Sequence, residues 1–183
     1  TKLRADGTLK RRLIWDLLRS AVNDTVGLDE RIVLPRLQDM VEDVLALQRH
    51  IRSMRRGDDL PLAVEQLVID IADAFHNIPT TSAERRFCCA KVGGWYIIFQ
   101  ALCMGGRASP NIWGRYAACI GRVHASVAAG TPSRSEIYVD DPIITTAGTS
   151  EERDELFMLA LLVLEVLRFP LAWKKAACGD DIQ

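Results

Sequence analysis

Hydrophobic and polar positions along this chain change period several times, and each change marks an element. Residues 12–17, Arg-Leu-Ile-Trp-Asp-Leu, follow the turn signal Asp6-Gly7-Thr8 and read as a short strand. From Pro35 onward, Leu37, Met40, Val41, Val44, Leu45, Gln48 and Ile51 recur at helical spacing. They predict an amphipathic helix, with Pro35 suited to its first turn. Residues 67–71, Leu-Val-Ile-Asp-Ile, are a continuous apolar run around one carboxylate, the pattern of a buried central strand with a functional group at its end. Residues 87–90 and 95–100 flank Lys91-Val92-Gly93-Gly94 and predict a hairpin with a glycine turn.

Ser109-Pro110 then opens a helix, with Ser109 placed as N-cap and Pro110 at N1. Ile112, Trp113, Tyr116, Ala117 and Ile120 share one of its faces. A Gly-Thr-Pro-Ser loop at 130–133 leads to a strand at 136–139, with 143–146 as its hairpin partner. Thr149 and Glu152 have the spacing of a capping box, and Leu156, Leu159, Ala160, Val163, Leu164 and Leu167 give the following helix a core face. Residues 170–173 read as a last strand. The order predicts an α+β fold, an antiparallel sheet with helices packed on one face.

Composition narrows what such a fold can be for. A hydrophobic content of 49% over 183 residues is ample for a core. Lys and Arg number 23 against 24 Asp and Glu, a net charge of −1, so bulk charge announces no nucleic-acid partner. Local charge differs: Lys2, Arg4, Lys10, Arg11, Arg12 and Arg19 face only Asp6 and Asp16 in the first 23 residues. A second basic group, Arg49, Arg52, Arg55 and Arg56, suits the carboxyl end of a helix dipole or a nucleic-acid contact. The five cysteines include no C-x-x-C pair, which speaks against a zinc ribbon or a disulfide framework and for a reducing, intracellular setting, cytoplasmic or nuclear. The most apolar run, 156–167, is interrupted by Glu165 and too short to span a bilayer, so no membrane insertion is expected.

The candidate chemistry lies in three carboxylates. Asp70 ends the predicted central strand, and Asp140-Asp141 sit at the tip of a predicted hairpin. If the strands are neighbours, the carboxylates converge, and their mutual repulsion is relieved by hard divalent cations such as Mg²⁺. Two ions about 3.5–4 Å apart would activate a 3′-hydroxyl and stabilise leaving pyrophosphate. Taken alone, Asp140-Asp141-Pro142 is better read as a simple turn, since a Y-x-D-D match arises by chance in roughly one chain of this length in fifty.

The order of motifs separates those readings. R-L-I-x-D-L (12–17), D-x-x-x-A-F (70–75), G-x-x-x-S-P (105–110), Y-x-D-D (138–141) and L-x-F-P-L-x-W-x-K (167–175) follow one another over almost the whole chain. This series resembles the fingers and palm of reverse transcriptases, and is most similar to the tyrosine-recombinase retrotransposon group and related protist elements. The resemblance implies a partial fingers-like region at 1–66 and a palm-like catalytic region at 67–183, with thumb and RNase H absent from the chain. It implies two Mg²⁺ ions on Asp70, Asp140, Asp141 and the carbonyl of Ile71. It places the N–H groups of Asp73 and Ala74 on the incoming deoxynucleoside triphosphate (dNTP), with Asp73 serving equally as a turn residue. Arg12 corresponds to the fingers arginine over the triphosphate, with Lys10 beside it in sequence.

By the same resemblance, Phe75 lies beneath the sugar and excludes a ribose 2′-hydroxyl; without it, Phe75 would be read as core. Gly105 would let the chain approach the templating base. Lys175, or Lys174 next to it, would be a general acid near the pyrophosphate. The chain departs from the family pattern at Cys103-Met104, Leu18, Pro142 and Arg168, where Pro-Gln, Arg, an apolar residue and Gly are usual. The expected function is an RNA-directed DNA polymerase palm acting on an RNA or DNA template with primer, from a larger retroelement polyprotein. The alternative is a decayed or recruited domain serving as a non-catalytic subunit with a protein partner.

Overall fold

The computed structural model describes residues 2–3, 9–10, 13–54 and 61–179. In chain order its elements are β1 (Lys2–Leu3), β2 (Leu9–Lys10), α1 (Leu37–Met54), β3 (Ala63–Val68), α2 (Ser82–Arg85), β4 (Cys89–Val92), β5 (Trp95–Ile98), α3 (Ser109–Val127), β6 (Ser133–Tyr138), β7 (Asp141–Gly148), α4 (Ser150–Val166) and β8 (Ala177–Gly179). The fold is α+β with antiparallel pairing throughout the described ladders. The chain forms two compact units, one from 1–31 with 75–111 and the other from 32–74 with 112–183. The expected cut at 66/67 falls inside β3, whose ladder to β7 holds both sides of it in one unit.

The second unit is built on a four-stranded sheet of order β6-β7-β3-β8. The apolar run read as a central strand is one: β3 lies between β7 and β8, and Ile69 and Ile71 just beyond it are fully buried. Register decides which side chains share a face. Leu67 pairs with Ile144 and Val64 with Ala147, and an odd separation along a strand puts these pairs on opposite faces. On the first face Leu67 and Ile144 pack with Phe157 and Ala160 of α4. On the other, Val64 and Ala147 pack with Leu47 and Ile51 of α1. The sheet therefore carries α4 on one face, as expected of the helices, and α1 on the other.

α4 begins with the expected capping box: the Thr149 hydroxyl accepts from Glu152 N at 3.3 Å, and Thr149 N donates to Glu152 Oε2 at 2.8 Å. It ends in a Schellman pair, Arg168 N to Glu165 O and Phe169 N to Leu164 O, with Arg168 left-handed at φ 62°. That explains why glycine is usual there. Proline at 142 is also accommodated. Toward β6 it costs no ladder bond, because Tyr138 and Asp141 close the β6–β7 turn and the next pair, Ile137 with Pro142, exchanges none; on its other edge its carbonyl accepts from Ile69 N, and it has no N–H to return that bond. The expected last strand at 170–173 is instead one bridge, Ile71 to Leu171, followed by a 3-10 turn at Trp173–Lys175. The bonds Lys175 N to Ala172 O and Ala176 N to Trp173 O bend the chain, and the true edge strand is β8.

In the first unit the expected hairpin is present as β4–β5, with Gly93 and Gly94 at φ 55° and 89° in its turn. Residues 13–16 form no ladder, contrary to the strand read over 12–17. The Asp16 carboxylate accepts from Arg19 N at 3.0 Å and starts a turn instead, the usual competition of a short acidic side chain with extended backbone. Trp15 and Leu17 are nevertheless core, packed on Cys103. Ser109 is a second departure from expectation, because its hydroxyl donates to the Cys103 carbonyl at 2.9 Å.

Candidate active site

The β3–β7 ladder continues past the end of β3, with Ile69 N on Pro142 O at 3.1 Å and Ile71 N on Asp140 O at 2.8 Å. Asp70 is thereby set beside the turn that carries Asp140 and Asp141. From its other side Ala172 N donates to Asp70 O at 2.8 Å, and Ala72 N to Pro170 O at 2.8 Å. These bonds deliver the 3-10 turn, from which Lys175 ion-pairs with Asp70 Oδ2. Lys174 is exposed without that contact, so the geometry separates the two lysines. The Asp70 side chain is 14% exposed and that of Lys175 54%.

Electrostatics register the convergence. Burial pushes the Asp141 carboxyl above its ordinary value, the negative charges of Asp140 and Asp70 push it further, and Lys175 partly offsets them. Among the described residues, no three His, Cys, Asp or Glu side chains stand together as a metal-holding group, and Asp70 is engaged by Lys175. The donors fit a hard divalent cation in kind, since all three are carboxylates and Asp141 feels the negative charges of Asp140 and Asp70. The bonds around Ile71 use its N–H and leave its carbonyl out of them.

The turn itself is unusual. Between Tyr138 and Asp141 lie Val139 and Asp140, and Val139 has φ 58°, a left-handed conformation that β-branched residues rarely adopt. Its carbonyl accepts the Trp113 indole N–H at 2.5 Å. Sequence reasoning placed Trp113 only on a helix face; the one available signal was a tryptophan, which carries a donor, among residues read as core.

Asp73 is left-handed at φ 51° in the turn after Asp70, and Ala74 begins a 3-10 turn, Ala74–Asn77. Asp73 is thus a turn residue, and such a turn can also present N–H groups to an anion. Within the first unit, Phe75 is half-buried and its carbonyl accepts from Ile78 N. Gly105 has φ 104°, and a Cβ there would lie 1.9 Å from the Trp15 carbonyl oxygen, so glycine is demanded by the chain's own packing. Asn23 braces the same loop, donating to Gly105 O at 2.9 Å and accepting from Arg107 N at 2.9 Å. Nothing in the sequence marked Asn23. Arg12 lies outside the described residues, and of Lys10 only the backbone pairing with Lys2 is described.

Comparison with solved structures agrees on the fold. The chain is similar to the foamy viral protease-reverse transcriptase in complex with double-stranded DNA, at 20% identity and TM-score 0.62 over 95% of this chain and 25% of that one. It is similar also to the prototype foamy virus protease-reverse transcriptase CSH mutant, at 17% identity and TM-score 0.62, over 97% of this chain and 20% of that one. The chain spans a quarter or less of the length of those proteins. No protein-family model matches it, and no curated protein does. The fold is therefore reverse-transcriptase-like. No helix among the described residues is long and apolar enough to cross a membrane.

Proposed function

We propose that the chain is the palm, with part of the fingers, of an RNA-directed DNA polymerase from a retroelement of the tyrosine-recombinase retrotransposon kind. It would add dNTPs to a primer 3′-hydroxyl on an RNA or DNA template inside the cell. The observation that carries this reading is that backbone pairing sets Asp70 beside the turn bearing Asp140 and Asp141, with Lys175 ion-paired to Asp70, in a reverse-transcriptase-like fold. A foamy virus relative of the fold was solved with double-stranded DNA, which supports a nucleic-acid partner.

Asp70, Asp140, Asp141 and the Ile71 carbonyl would hold two Mg²⁺ ions, which supply activation of the 3′-hydroxyl and charge stabilisation at the leaving pyrophosphate. The chain's own residues do the rest. Lys175, ion-paired with Asp70, would be the residue that gives a proton to the leaving pyrophosphate. By the family resemblance, Asp73 and Ala74 would offer backbone N–H groups to the triphosphate, and Phe75, Gly105 and Arg12 would each be nucleotide-binding residues.

Primer extension with Mg²⁺ tests the reading. Asp140→Asn is expected to lower extension at least ~100-fold, as loss of a charge-stabilising ligand should. Undiminished extension by that variant refutes the assigned role. A second reading, a recruited subunit without catalysis, draws on the exposed stripe Met158, Leu162 and Val166 along α4, which suits a protein partner. It predicts no Mg²⁺-dependent dNTP binding by calorimetry.

A further inference from the structure

We infer that Trp113 is a positioning residue for the acidic turn: its indole N–H, bonded to the Val139 carbonyl, holds Val139 left-handed and so sets where Asp140 and Asp141 stand. Three observations combine. Val139 and Asp140 are the whole of a two-residue turn, so the backbone at Val139 aims both carboxylates that follow. Val139 is β-branched at φ 58°, a conformation that needs an external hold to persist. That hold is at hand, for Trp113 is 1% exposed and its buried donor ends on the Val139 carbonyl at 2.5 Å.

The donor is itself fixed in direction. The Phe169 ring meets the indole edge-on, with centroids 5.9 Å apart and planes at 81°, and Phe169 is anchored by the bond of its N–H to Leu164 O at the end of α4. A phenylalanine at 113 would keep an aromatic ring there but be smaller and lack the bond, so the isosteric replacement below separates the bond from the packing. Burial of the indole makes the bond reciprocal, because Nε1 turned away from Val139 would be a buried donor without a partner.

The functional half of this inference rests on the polymerase reading, and the structural half does not, so the experiment has two arms. Trp113→Phe, and an isosteric benzothienylalanine at 113 with sulfur in place of N–H, are each made alone and with Val139→Gly. In the structural arm, the wild-type Trp113 indole proton should be protected from hydrogen exchange. Both single variants should shift the Val139 and Asp140 amide resonances. In the functional arm, both should lower kcat for primer extension about ten-fold or more with template-primer affinity unchanged, since small misplacements of reacting groups are costly. Val139→Gly should restore most of that loss, because glycine adopts a positive φ without the penalty of a Cβ.

Free exchange of the wild-type indole proton, or unmoved turn resonances in both variants, overturns the inference. So does a kcat loss that Val139→Gly does not relieve, which would mark Trp113 as packing alone. A wild-type chain without primer extension refutes the polymerase reading instead, and the exchange and resonance measurements still decide the hold on Val139.

Discussion

Ile69 and Ile71 have no exposed surface, whereas Trp95, Tyr96, Ile97 and Ile98 of β5 are all exposed, Trp95 to 79%. Both segments are apolar runs of strand-forming residues, yet one is interior to a four-stranded sheet and the other is half of an isolated two-stranded hairpin. The sheet unit fixes its carboxylates by register, since a slip of one residue in β3–β7 would turn every side chain to the wrong face. The hairpin unit depends on local backbone devices, the Gly93-Gly94 turn and the Gly105 loop. Candidate residues on the first sit on turns that the ladder anchors, and Gly105 on the second on a loop held by local contacts.

The contrast is most open to attack at the core. Phe157→Ala, under Leu67 and Ile144, should cost ~3–5 kcal/mol in urea unfolding, the usual effect of emptying an aromatic site. A loss near that of a surface change would mean the sheet is not what holds the carboxylates. Next comes Gly105→Ala, expected to destabilise the hairpin unit by about 2–3 kcal/mol through the clash with the Trp15 carbonyl and the positive φ. Hydrogen exchange should report the damage in 75–111 and leave β3 and β7 protected.

Arg168→Gly has the opposite sign. It should raise stability by ~0.5–1 kcal/mol, seen as a higher melting temperature, because the left-handed C-cap suits glycine. A smaller and pH-dependent effect is expected from His124, which is buried with neither ring nitrogen hydrogen-bonded. Desolvation lowers its pKa below the ordinary 6.5, so the unfolded chain binds a proton more readily than the folded one. Its contribution is complete above pH ~6.5 and is lost as pH falls through the folded value; urea midpoints from pH 7 to 5 should show the slope, and His124→Gln should flatten it. Smallest of all is Tyr96→Ala on β5, expected within about 0.5 kcal/mol by the same urea titration.

Strong local signals were legible in the sequence. The capping box of α4, the glycine hairpin, the helix from Leu37 and the buried run at 67–71 all stand where the chain's own pattern puts them. Elements with mixed signals were not. In 12–17, Asp16 turned the backbone despite apolar neighbours, and at 170–173 a 3-10 turn replaced a strand whose residues have ordinary strand propensity. The face taken by α1 was equally hidden, because it follows from the pairing of Val64 with Ala147, eighty-three positions away.

By itself the sequence determined which residue types were available at the candidate site and in what order, down to Asp70 at a strand end and Asp140-Asp141 at a hairpin tip, since periodicity and turn chemistry are local. Only the tertiary structure decided that Lys175 rather than Lys174 meets Asp70, that Gly105 is required by the Trp15 carbonyl, and that Trp113 reaches Val139. Those are contacts across long stretches of chain, set by ladder register and helix docking. No short-range rule contains them.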